Sequence, residues 1–217
     1  CALPISENQQ KYVMLGVTGP NEYENNVNNN WYTNYFAVWC LKYTLEVLAE
    51  IQANYPNEAK EKLAKTAFQT SEIAQFEHII ANMYFPRDEN RGIYLQQDGF
   101  LDKVIAPVDS IPAGQRPINQ NWSWDRILRS CYIKQADVLQ GMYFFENDFT
   151  KEEIARNYDF YEPITVHESS LSPCVHSILA AKLGKEDKSY EFYTRAARLD
   201  LDDYNNDTED GCHITSM

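Results

Sequence analysis

The chain has 217 residues and a formal net charge of −13 at neutral pH, so it is long enough for one sizeable helical core or a large piece of a bigger domain. Acidity without any Lys/Arg run makes a nucleic-acid backbone or an anionic membrane surface a poor partner, and a neutral polar ligand fits better. No stretch approaches the roughly 18 uninterrupted apolar residues of a membrane-crossing helix, and CALPISENQQ has neither the basic nor the apolar region of a signal peptide.

The five cysteines, Cys1, Cys40, Cys131, Cys174 and Cys212, are odd in number and widely scattered, which predicts reduced, buried thiols and a cytoplasmic home. The chain opens on Cys1 and stops at Met217 directly after the motif-like DGCHITS. It therefore reads as a fragment.

The first element expected is a short strand over KYVMLGVTG, closed by Gly19-Pro20-Asn21 and leading into a polar loop. Apolar residues then recur at helical spacing over 34–52 (Tyr35, Val38, Trp39, Leu41, Leu45, Leu48, Ile51) until Asn54-Tyr55-Pro56 stops them. A second helix is expected over 58–83. Residues 85–123 are rich in proline and glycine and carry a strand-like GIYLQQDGF; this is too long for a plain connector, and long ordered loops tend to hold function. Further helices are expected over 124–146, 151–158, 172–183 and 186–199, with Ser172-Pro173 as cap and first turn of one and Gly184 as its stop. Helices joined by alternating short and long loops suggest an antiparallel array whose working face is built by the long connections.

Residues 19–34, GPNEYENNVNNNWYTN, hold two carboxylates, seven asparagines and three aromatics just before a helix. Sugar sites have this composition, since hydroxyls need several polar partners while the apolar ring face stacks on an aromatic. A solvated loop before an Asn-rich helix start fits the same composition. In HESSLSP, Ser169 and Ser170 either face a ligand or merely cap the following helix. Lys134-Gln135 falls on the otherwise apolar helix expected over 124–146 and alone reads as an ordinary surface pair. His78 and His176 lie inside helical patterns and read as packing or surface residues.

Other chemistries find no support in spacing. His167-Glu168 lacks the second histidine of a zinc protease, Cys174 and His176 make one weak pair, and no Gly-rich phosphate loop, nucleophile elbow or dinucleotide fingerprint is present. Neither a metal nor a nucleotide is expected.

GPNEYENNVNNNWYTN is similar to the stretch that carries the general acid in glycoside hydrolase family 65, whose members include maltose, trehalose and kojibiose phosphorylases. The resemblance continues in order through IYLQQDGFLDK, QRPINQNWSWDRI, IKQADVLQG, TVHESSLSP and DYNNDTEDGCHITSM. Asn21-Glu22-Tyr23-Glu24, where trehalose and kojibiose phosphorylases tend to have Asp-Glu-Tyr-His, resembles the maltose-acting branch.

The resemblance implies an all-α fold, the C-terminal part of an (α/α)6 barrel with functional loops and a short β segment. It also implies that the first half of the barrel and the flanking β domains lie outside residues 1–217. It implies Glu22 as proton donor to the glycosidic oxygen, Glu24 as a neighbour, Lys134 and Gln135 as binders of the transferred glucose, and Ser169, Ser170 and His213 as the phosphate site. Gln96-Gln97-Asp98-Gly99 and Trp122-Ser123-Trp124-Asp125 would line the same pocket.

A phosphorylase needs one acid, because phosphate is already an anionic nucleophile and a second carboxylate facing it would repel it. The implied reaction is inverting phosphorolysis of maltose, without a cofactor, by a homodimer. The rivals are a phosphorylase of trehalose, kojibiose or nigerose, and a non-catalytic helical carbohydrate-binding protein.

Overall fold

The computed structural model describes residues 4–213; Cys1 and the Ile214-Thr215-Ser216 end of the motif-like DGCHITS lie outside them. Two small antiparallel ladders, β1 (Ile5–Ser6) with β2 (Lys11–Tyr12) and β3 (Arg87–Asp88) with β4 (Ile93–Tyr94), accompany nine α-helices and six short 3-10 turns among the described residues. The expected first strand survives only as β2 and two isolated bridges, Tyr12 to Met83 and Val17 to Val27, because Gly16 turns with φ of 64°.

Helix α1 (Trp31–Asn54) starts where the Asn30 side chain accepts the Thr33 N–H at 2.9 Å. It ends at Tyr55, and Pro56 begins α2 (Pro56–Thr66), where its missing N–H costs nothing. The helix expected over 58–83 is two helices. Ala67 takes a left-handed conformation, its N–H bonding the Leu63 and Ala64 carbonyls, and Glu72 then accepts the Gln69 N–H at 2.7 Å to start α3 (Ser71–Asn82). An alanine gives periodicity no sign of such a stop.

The helix expected over 124–146 also divides. After the one-turn α4 (Ile118–Asn121), α5 (Trp124–Arg129) begins with Ser123 accepting the Arg126 N–H at 3.3 Å, and α6 (Val138–Phe144) follows only after an extended stretch. There Ile133 pairs in parallel with Thr165, donating to the Ile164 carbonyl at 3.0 Å and accepting from Val166 at 2.8 Å. Cys131, Tyr132 and Ile133 form a buried apolar run, a pattern that helix and strand share. Lys134 and Gln135 thus sit on an extended segment, not on a helix.

Helix α7 (Lys151–Tyr161) opens with a reciprocal Thr150–Glu153 capping box. Helices α8 (Ser172–Leu183) and α9 (Glu186–Ala197) form a hairpin joined through Gly184, whose φ of 78° ends α8 as expected. Ser172 is the first residue of α8 rather than its cap; Leu171 takes the cap position without a side-chain bond.

The main core gathers Trp31, Phe100, Ile118, Ile127, Ile133, Leu139, Met142, Tyr158 and Leu179. A Cβ at Gly141 would lie 2.6 Å from the Trp31 ring, so only glycine lets α6 approach α1 this closely. Of the cysteines, Cys131 is buried, whereas Cys174 and Cys212 are exposed, contrary to expectation; these three and Cys40 are free thiols. No helix among the described residues is long and apolar enough to cross a membrane.

Candidate active site

The asparagine-rich loop before α1 is held from beneath by its buried residues. Asn21 donates its backbone N–H to Asp137 at 3.1 Å and its side-chain N–H to Gln96 at 3.3 Å, while its side-chain oxygen accepts from the backbones of Tyr23 (3.2 Å) and Lys134 (3.0 Å). Asn30 donates to Asp137 at 3.0 Å, and Gln135 donates to the Pro20 carbonyl at 2.8 Å. Gly19 permits this packing: a Cβ there would fall 2.3 Å from the Asn30 amide and 2.5 Å from the Asp137 carboxylate. Burial raises the Asp137 carboxyl to about 7, against the N–H bonds of Asn21 and Asn30.

On this base the two glutamates face different surroundings. Glu22 is 57% exposed and pairs with the Lys134 ammonium. Glu24 is buried and pairs with Lys103, which also donates to the Leu128 and Ser130 carbonyls at 2.9 Å each. Glu22 is therefore the carboxylate that an entering molecule can reach.

Between them, Tyr23 turns inward. Its hydroxyl donates to Glu168, which also accepts the backbone N–H groups of Ile118 at 2.6 Å and Asn119 at 3.3 Å. Burial, reinforced by Glu168, raises the Tyr23 phenol well above its usual value, so it remains a donor.

Immediately after Glu168, Ser169 and Ser170 are half-buried, and Ser169 Oγ accepts the Leu171 N–H at 3.3 Å. His167 has a left-handed φ of 55°; its Nδ1 lies 2.8 Å from Ser172 Oγ, and its carbonyl accepts from Arg195 at 2.9 Å. His176 packs edge-on to His167 with ring centroids 4.4 Å apart. Burial lowers His167 well below its usual value and His176 to about 4, so His176 is the packing residue its helical position suggests.

His213 belongs to a separate anchor: its Nδ1 lies 2.8 Å from Asp200 Oδ1, beyond the end of α9. The 203–213 segment reaches the loop through α4, where Gln120 donates to the Asn205 and Asn206 carbonyls at 3.1 and 3.2 Å. Glu22 thus bonds directly to Lys134, Gln135 bonds to the same loop at Pro20, and that loop reaches the Glu168-Ser169-Ser170 turn through Tyr23. The His213 segment meets α4 through Asn205 and Asn206 and not through His213 itself. No bond between His213 and either serine is present among the described residues.

Gln96, the first of the expected QQDG residues, is wholly buried, and Asp98 accepts from Asn29 at 2.7 Å. Trp124 is half-exposed with its ring against Tyr23 at 6.2 Å. The structural roles of Tyr23, Lys103, Asp137 and Glu168 were missed. Their partners lie up to 145 positions away, and no local pattern announces such a pairing. Among the described residues, no group of three or more His, Cys, Asp or Glu side chains is placed to share a metal ion.

The sequence matches the Glycosyl hydrolase family 65 central catalytic domain over residues 3–217. The chain belongs to glycoside hydrolase family 65. Its relatives include a maltose phosphorylase of Bacillus subtilis, 57% identical over 98% of this chain and 27% of that protein. Another is an alpha,alpha-trehalose phosphorylase of Thermoanaerobacter brockii, 40% identical over 99% of this chain and 28% of that protein. A solved structure of a candidate kojibiose phosphorylase from the human microbiome superposes with a TM-score of 0.87 at 38% identity, over 99% of this chain and 28% of that one. The family 65 chain thus spans little more than a quarter of the length of these relatives, and its mostly helical fold is consistent with part of an (α/α)6 barrel.

Proposed function

We propose that the full-length protein carrying this chain is an inverting maltose phosphorylase, with Glu22 as general acid and inorganic phosphate as nucleophile. The observation that carries this reading is the contrast within Asn21-Glu22-Tyr23-Glu24: three residues are buried and tied down, and only the Glu22 carboxylate is presented outward. The 57% identity to a maltose phosphorylase, against 40% to a trehalose phosphorylase, favours maltose over the other α-glucosides.

In this mechanism, phosphate attacks the anomeric carbon while Glu22 protonates the departing oxygen from the opposite face. Glucose and β-glucose 1-phosphate leave. Lys134 and Gln135 hold hydroxyls of the transferred glucose, and a bound sugar competes with Glu22 for the Lys134 ammonium. Ser169, Ser170 and His213 receive the phosphate, with the partial positive charge at the start of α8 favouring the anion. The reading includes a homodimeric, cytoplasmic enzyme that needs no cofactor.

The test is turnover of maltose by the full-length protein with and without phosphate, beside trehalose, kojibiose and nigerose. Phosphate-dependent release of glucose from maltose is expected. Equal release without phosphate means a hydrolase, and sugar binding without turnover means a non-catalytic protein. Ser169→Ala with Ser170→Ala should raise the phosphate KM far more than the maltose KM, since each hydrogen bond to a charged group contributes roughly 1.5–3 kcal/mol.

A further inference from the structure

We propose that Tyr23 and Glu168 form a positioning pair that sets the distance between the acid and the phosphate-binding turn. This rests on the assignments of Glu22 and of Ser169-Ser170 made above. Tyr23 directly follows Glu22, and Glu168 directly precedes Ser169. A single bond from the Tyr23 hydroxyl to the Glu168 carboxylate therefore ties together two loops 145 positions apart in sequence.

Both residues are buried, Tyr23 at 2% and Glu168 at 8% exposure, so neither touches substrate and neither is a catalytic residue. The bond is anchored on a third side. The Glu168 carboxylate accepts the N–H groups of Ile118 and Asn119, and the Tyr23 ring packs edge-on to Trp124. A buried carboxylate with three donors and, among the described residues, no cation hydrogen-bonded to it is fixed in place by geometry.

Inversion makes that geometry matter. The nucleophile and the proton donor act on opposite faces of one anomeric carbon, so their separation must hold to a fraction of an ångström, and a displacement of about 1 Å is enough to cost on the order of a hundredfold. The His167 backbone, left-handed and held by Arg195, fixes the turn upstream of Glu168, and Asn21 fixes the loop upstream of Tyr23. The Tyr23–Glu168 bond is a direct link between the two.

The experiment is Tyr23→Phe in the full-length protein, which keeps the ring against Trp124 and leaves Glu168 its two backbone donors. It is assayed with maltose and with α-D-glucosyl fluoride. In the fluoride reaction the C–F bond breaks, phosphate oxygen bonds to the anomeric carbon, and fluoride departs without needing a proton.

With maltose, kcat should fall and the phosphate KM rise, each by about tenfold, with the maltose KM nearly unchanged. With the fluoride, kcat should recover while the phosphate KM stays high. Glu168→Asp, which keeps the charge but withdraws the carboxylate from Tyr23, should behave alike and serves if Tyr23→Phe proves unstable. The proposal is overturned if Tyr23→Phe leaves kcat and the phosphate KM unchanged. It is equally overturned if melting falls while the phosphate KM does not move, which marks a merely structural bond. Glu22→Gln in the same series reports on the underlying reading: retained maltose turnover there removes the acid assignment whatever Tyr23→Phe does.

Discussion

The loop end of the molecule and the limb formed by α1 to α3 invert the usual relation between regular structure and burial. In the loops before α1, α6 and α8, irregular backbone carries deeply buried polar residues, among them Asn21, Asn30, Asp137 and Glu168. On the regular helices, large aromatics stand partly in solvent, including Trp39 and Tyr43, whose rings stack at 5.2 Å. Order in the loops comes largely from long-range hydrogen bonds, and order in the limb comes from helices packed around a small apolar cluster of Val38, Ile79 and Met83. The first arrangement suits a site that must hold its shape, and its loss should be costly.

The sharpest break is within the loop. Glu22→Gln should lower kcat with maltose by roughly 10²–10⁴-fold without unfolding the protein, whereas Glu24→Gln should disturb folding more than chemistry. Steady-state kinetics beside a melting curve separates the two, and comparable kinetic losses from both would undo the contrast between the presented and the buried carboxylate.

Lys103→Met removes the buried partner of Glu24. Breaking such a pair from one side leaves a charge without compensation, and about 3–5 kcal/mol of destabilisation is expected in urea unfolding.

A smaller, pH-dependent effect comes from the histidines behind Ser169. His176 is held neutral when folded, at about 4, while the unfolded chain protonates it near 6.5. Its contribution is therefore intact above pH 6.5 and lost as pH falls toward 4, roughly 2 kcal/mol having gone by pH 5. His167, lowered still further, acts in the same direction. Asp137, raised to about 7, acts oppositely, giving back stability as it protonates on the way down. Comparing His176→Phe with the parent at pH 7 and pH 5 isolates the first effect: the variant should show the shallower loss.

The limb should respond least. Tyr43→Ser removes a half-exposed ring, and a change of about 1 kcal/mol or less is expected in the same unfolding assay.

The contrast also explains what could be read before folding. The ends of α8 and α9 and the body of α1 were legible because apolar spacing, Gly184 and Tyr55-Pro56 are local signals. The breaks at Ala67 and at 130–137 were not, since alanine is a good helix former and CYI satisfies either period. Within the site, Glu22 and the Ser169-Ser170 turn could be singled out through their resemblance to a family. The bond between Tyr23 and Glu168 could not, because it exists only once two distant loops meet.

Gly19 extends that lesson to how the protein can change over time. Its hydrogen atom occupies space that a single methyl group would contest with both Asn30 and Asp137. Either partner, if pushed, would release the strut under Glu22. Drift can therefore proceed on the solvent side of the loop while position 19 stays closed to it, and the constraint at that position comes from what it leaves empty.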